Sequence, residues 1–166
     1  MGTNCNYFDS KGKTSYNLKH LALEIKSFVE SDASSFYSLV IGTDSQSRRI
    51  NGVAEINFVT AVVIYRKGKG AKYFWRKVKV IKKPVLRDRI YTETLMSLDA
   101  AEKIVPEIRK LITPSKYDLE IHIDVGSLGP TREMIREVVG IVNGNGYVAK
   151  TKPDSWGASS VADKYT

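Results

Sequence analysis

Three β-prone runs follow one another with no helix between them: FYSLVIGT (36–43), FVTAVVIY (58–65) and AKYFWRKVKVI (71–81). Consecutive strands of this kind pair most simply as an antiparallel meander. After Pro84 the apolar period changes. Leu86, Ile90, Thr94, Ser97, Ala101, Ile104, Ile108 and Leu111 recur three or four residues apart, which predicts a long helix. Pro106 should kink that helix or divide it. LEIHIDVG (119–126) is then a strand, Ile135, Val138, Val139 and Val142 mark a helix stopped by Asn143-Gly144, GYVAKTK (146–152) is a fifth strand, and SSVADKYT is a short helix. The order β-β-β-α-β-α-β-α specifies an α/β fold, a mixed five-stranded sheet with helices on its faces. Leu18, Leu21, Ala22, Ile25, Phe28 and Val29 add an amphipathic helix before it. Residues 1–35 therefore read as an N-terminal helical extension and 36–166 as the main domain. Asn51-Gly52 marks a turn inside a long connection that also carries Arg48 and Arg49.

A chain of 166 residues can bury one core. Its longest apolar run falls short of the roughly 20 residues a membrane span needs, and the polar opening MGTNCNYFDS lacks the apolar stretch of a secretory signal. Cys5 is the only cysteine, which excludes an internal disulfide and a cysteine metal cage. The cytoplasm is the expected compartment.

The net charge of +8 is concentrated. RKGKGAKYFWRKVKVIKK (66–83) holds 9 Lys and Arg and no acid, and the other 17 basic residues face all 18 acidic ones. Such a local field suits a polyanion. Lys72, Trp75, Arg76 and Lys77 are the candidate contacts on this hairpin, with Trp75 and its aromatic neighbours offering stacking surfaces. Lys77 and Lys79 also alternate with Val78 and Val80, as a half-buried edge strand guarded against pairing would show. Lys150 and Lys152 share one face of the last strand and could meet phosphate or serve as edge guards.

Several acids stand at strand or helix positions. Asp44 follows the apolar run LVIG, where a carboxylate either caps a turn or is held over a reaction. Glu93 sits one position off the apolar stripe of the long helix, at the edge of its buried face. Asp124 shares a strand face with Glu120 and His122; His122 lies deeper in the sheet and reads as a satisfied strand histidine.

The element order and these acids resemble ribonuclease H enzymes. IGTDSQS is similar to the first-strand aspartate motif, the Glu93 of RIYTETLMSLDAAEKI to the helix glutamate, EIHIDVGS to the aspartate ending the fourth strand, and SSVADKYT to the late Ala-Asp signature. Across nearly its whole length the chain resembles the YkuK-type family of bacterial proteins, classed as ribonuclease H-like, through IGTDSQ, IHIDVG, GNGY and KTKPDSWGASSVADKYT. The resemblance implies a nuclease hydrolysing phosphodiester bonds with two Mg²⁺ or Mn²⁺ ions roughly 4 Å apart. Asp44 would bridge them, with Glu93, Asp124 and Asp163 completing the ligand set and Asp154 competing with Asp163 for the last place. Gln46 stands where proofreading exonucleases have a glutamate, which weighs against that subgroup. Nucleic acid is the implied partner, as RNA, DNA or hybrid. A non-catalytic nucleic-acid-binding module on the same fold is the alternative.

Overall fold

The computed structural model describes residues 7–12 and 15–165; Cys5 lies outside them. The elements are β1 (Tyr7–Asp9), β2 (Ser15–Asn17), α1 (Leu18–Glu30), β3 (Tyr37–Ile50), β4 (Val53–Arg66), β5 (Ala71–Ile81), α2 (Leu86–Arg109), β6 (Tyr117–His122), α3 (Ile135–Gly144), β7 (Val148–Lys150) and α4 (Gly157–Tyr165). Among the described residues no helix is long and apolar enough to cross a membrane.

The expected meander is present, with β3–β4 and β4–β5 antiparallel. The parallel strands β6 and β7 extend the sheet on the other side of β3. The sheet has seven strands rather than five, in the order β2-β1-β5-β4-β3-β6-β7. The two missed strands have three residues each, too short to display a period of two. They make β5 an inner strand where β1 meets it, at Asp9↔Trp75. The N-terminal segment is thus built into the sheet, and α1 packs on α2 within the same apolar cluster.

Asn51-Gly52 is a tight hairpin turn rather than part of a long connection. Both residues have positive φ (50° and 79°), the twist that suits a two-residue link between antiparallel strands. β3 and β4 consequently run 14 residues each. From Gln46 onward β3 is exposed, so its second half is polar and carries no apolar alternation to reveal it. Arg48 lies in this half, bonded to Glu55 across the ladder at 2.8 Å.

The alternation of β3 separates two layers. Tyr37, Leu39 and Ile41 face α1, α2 and α3 in the main core, whereas Val40 packs with Ala61, Val63 and Val161 beneath α4. Helix α1 starts where Asn17 accepts the His20 N–H at 2.9 Å. Helix α2 runs unbroken through Pro106, which sits in its last turn.

Helix α4 approaches the sheet unusually closely. A Cβ on Gly157 would fall 2.4 Å from Val40 Cγ1, and one on Gly42 would fall 2.8 Å from the Ala158 Cβ. Both positions therefore require glycine for want of space. Gly157→Ala should cost about 1–3 kcal/mol through overpacking. Gly140→Ala, on an open face of α3 with nothing within 4 Å, should be neutral or gain up to about 1 kcal/mol. Urea unfolding of the two variants measures this, and equal midpoints would refute the packing argument.

Candidate active site

The parallel register of β3 and β6 builds the site. Its last pair is Gly42↔His122. Asp44 and Asp124 each lie two residues further on, near enough for the Asp124 charge to act on Asp44. β6 ends there while β3 continues past Asp44 at the sheet's centre.

Glu93 reaches this region from α2. It is 3% exposed, buried outright rather than at the margin of the helix face. Ser45 explains how: its backbone N–H donates to Asp44 Oδ1 at 2.8 Å, and its hydroxyl donates to Glu93 Oε1 at 2.5 Å. Arg89, one helical turn before Glu93, donates to Ser45 Oγ at 3.0 Å and to the Ser45 carbonyl at 2.5 Å. Deeper still, Ser97 Oγ lies 2.9 Å from both Thr43 Oγ1 and the Glu93 carbonyl, and Thr43 Oγ1 meets Thr60 Oγ1 at 2.9 Å. These hydroxyls lock α2 to β3 and β4 under the carboxylates.

Burial raises the Asp44 pKa above the ordinary carboxylate value, and the charges of Asp124 and Asp163 push it further. The Ser45 N–H and Arg89 oppose the shift. Glu93 is raised to about 8, chiefly by burial; the Ser45 bond and Arg89 oppose this, while Asp44 and Asp124 add to it. Its second oxygen, Oε2, is buried without a hydrogen-bond partner. Asp124 is half-buried and its Oδ1 pairs with Lys152 Nζ at 2.9 Å.

Of the two candidate fourth acids, Asp163 on α4 acts on Asp44 electrostatically. Asp154 lies elsewhere, beside His122 and Lys150 in a groove before α4. Among the described residues no three His, Cys, Asp or Glu side chains converge closely enough to hold a metal ion. The contacts above give the reason: Glu93 is drawn to Ser45 and Asp124 to Lys152. The donor chemistry nevertheless fits a hard divalent cation, being all carboxyl oxygen and ending in one bare buried oxygen, Glu93 Oε2, whose proton a bound cation would displace.

The family model for ribonuclease H-like proteins matches residues 20–166. The chain belongs to the ribonuclease H-like family. A protein of Bacillus subtilis (strain 168), described as "Uncharacterized protein YkuK", is 36% identical to it over 155 residues, which is 86% of each chain. No solved structure matches.

The basic segment of this ribonuclease H-like chain is largely occupied by internal partners. Arg66 donates to the Phe28 carbonyl and to Tyr37 Oη, Lys69 pairs with Asp32 and Lys72 with Glu24. Arg76 is buried over the Phe8 ring and near Asp99, and Trp75 is stacked on Tyr165 with ring centroids 3.7 Å apart. Arg76 is thus committed inside the protein, whereas Lys72 and Trp75 stay partly exposed while engaged by Glu24 and Tyr165. Lys77 is exposed and shares a cross-strand row with Asp44, through Asp44↔Val59↔Lys77.

Ser45 and Arg89 are the site residues that sequence reasoning missed. The spacing of four between Arg89 and Glu93 was the available signal, since it places both on one helix face.

The raised Glu93 pKa predicts a pH effect on the metal-free protein. Between the unfolded value of 4.5 and the folded value of about 8, the folded chain keeps a proton that the unfolded chain has lost. Stability is therefore full below the unfolded value and falls as pH rises to the folded one, by about 3 kcal/mol at neutral pH. Glu93→Gln should abolish this fall. Urea unfolding in EDTA at several pH values tests it, and parallel profiles for the two proteins would be the negative result.

Proposed function

We propose that this protein hydrolyses phosphodiester bonds of nucleic acid with the help of divalent metal ions. The observation carrying the proposal is the bare, buried Glu93 Oε2 within reach of the Asp44 and Asp124 charges. A buried carboxylate group with so little compensation is costly to folding. Its retention is understandable if the charge has a use. Asp44, Glu93, Asp124 and Asp163 would hold Mg²⁺ or Mn²⁺ here. When bound, the ions supply activation of water and stabilisation of charge on the phosphate.

The chain's own residues prepare that chemistry. Arg89 occupies an acceptor site on Ser45 Oγ, which leaves the hydroxyl proton for Glu93 Oε1 and Glu93 Oε2 free. Arg89 also moderates the negative charge felt by Asp44 and Glu93. Lys152, 55% exposed at its side chain, can leave Asp124 for a phosphate oxygen. Lys77 lies on the same sheet face and extends the positive surface from the carboxylates along β5.

The Asp124–Lys152 pair also supports the second reading, a nucleic-acid-binding module without catalysis, because it satisfies one carboxylate internally. Incubation with labelled RNA, DNA and hybrid in Mn²⁺ separates the readings. Cleavage should appear with the wild type and fall by about 10²-fold or more in Asp44→Asn, the scale expected when a principal catalytic group is lost. Salt-dependent binding without cutting would favour the second reading. Absence of both would remove nucleic acid as the substrate.

A direct metal test is also available. Mn²⁺ binding to the folded state alone should raise the unfolding midpoint of the wild type, and Asp44→Asn should lose most of that increment. Calorimetric thermal unfolding with and without Mn²⁺ reads it out, and an equal gain in both proteins would exclude Asp44 as a ligand.

A further inference from the structure

On the same sheet face, at the far end of α4 from Asp44, lies a groove of about 370 Å³. Tyr65 and Trp156 form an aromatic wall, Lys67 and Lys150 bring positive charge, and Asp118 and Asp154 bring carboxylates. None of these residues belongs to the acidic site described above.

The wall is fixed in advance. Trp156 is 39% exposed, with its ring held edge-on by Tyr65 at 5.3 Å and by His122 at 5.5 Å. His122 is itself buried and fully bonded. The Gly157 N–H donates to its Nδ1 at 3.0 Å, so Nδ1 carries the lone pair and Nε2–H donates to Glu120 at 2.9 Å. Burial favours this neutral ring. A buried histidine thus ties the groove wall to β6 and to the start of α4, and the carboxylate mechanism makes no use of it.

The groove's chemistry selects its ligand. An indole beside a phenol takes a flat aromatic ring by stacking, and ammonium groups take phosphate. A carboxylate accepts hydrogen bonds only, so the ring must present N–H donors. Guanine alone among the common bases offers two adjacent donors, N1–H and N2–H, to the two oxygens of one carboxylate. The cavity size suits one nucleotide. Lys150 also lies two residues before Lys152, which pairs with Asp124, so one strand face leads from the groove to the carboxylates.

We infer that this groove is a binding subsite for an unpaired guanine nucleotide, with the base against Trp156, its donor edge on Asp154, and its phosphate on Lys67 and Lys150. Such a subsite would engage the substrate strand away from the bond being cut, and to that extent it rests on the proposed function. It makes single-stranded or frayed nucleic acid the substrate class, because a base within a duplex cannot enter.

The two tryptophans provide the test. Trp75 is stacked under Tyr165 and serves as an internal reference for Trp156. In EDTA, titration of the full chain with GMP should move the Trp156 indole N–H resonance saturably and leave that of Trp75 in place, with Trp156→Phe giving the assignment. UMP should bind at least about fivefold more weakly, a difference of about 1 kcal/mol. Lys150→Ala and Asp154→Asn should each weaken GMP binding, and Asp44→Asn should leave it unchanged. An unmoved Trp156 resonance up to about 5 mM GMP, beyond the weak end of ordinary ligand affinity, would overturn the subsite. Equal shifts of both indoles, or equal affinity for GMP and UMP, would overturn it too. The measurement does not depend on cleavage: a protein that cuts nucleic acid without this shift refutes the groove alone, and one that shows the shift without cutting retains the groove and loses the nuclease reading.

Discussion

The parallel register between β3 and β6 governs the molecule. Because the pairing stops at Gly42↔His122, the next residues on the same face, Asp44 and Asp124, share an end of the sheet with no strand between them. A one-residue slip would turn Asp124 into the apolar layer and bring Ile123 out to α4. Ile121 and Ile123 are both fully buried in the main core, and they pin the register against that slip. The apolar side of β6 thereby fixes the position of the acid on its other side.

Charge in this protein follows location more than composition. Asp44 and Glu93 sit where desolvation raises their pKa values, and Arg89 compensates both while Lys152 pairs with Asp124. By contrast, the run of basic residues that dominates the sequence is mostly neutralised by acids on neighbouring elements, among them Glu24, Asp32, Glu55, Asp88 and Asp99. Lys77, exposed in that run, shares a cross-strand row with Asp44.

Helix α4 links the two ends of its sheet face. Its close seat on Gly42 and Val40 brings Asp163 toward Asp44 at one end, while the Gly157–His122 bond holds the aromatic groove at the other. Nine residues of helix therefore separate two chemically different surfaces, one acidic and one mixed. Hydrophobic burial on this side is small, so the helix depends on close backbone approach and on the histidine bond to stay in place.

The core strands, the order of elements and the position of Asp44 and Asp124 were legible in the sequence, because alternating apolar residues report burial directly and the family motifs surround both acids. The three-residue strands β1 and β2 were not, since two or three residues carry no period. Nor was the polar half of β3, whose exposed faces need no apolar residues. The depth of Glu93 and the roles of Ser45 and Arg89 were also hidden: one position on a helical wheel decides between rim and interior, and that rotation is set by how α2 packs. The same holds for Arg76, which reads as part of a basic surface along the chain and is buried over Phe8 near Asp99 in the fold. Sequence alone determined the apolar strands and helices and the order in which they follow one another, because those properties depend on local period and chain order. Only tertiary structure decided which charges are paired, which aromatics are covered and which carboxylate oxygen is left bare, because those depend on partners brought together from distant parts of the chain.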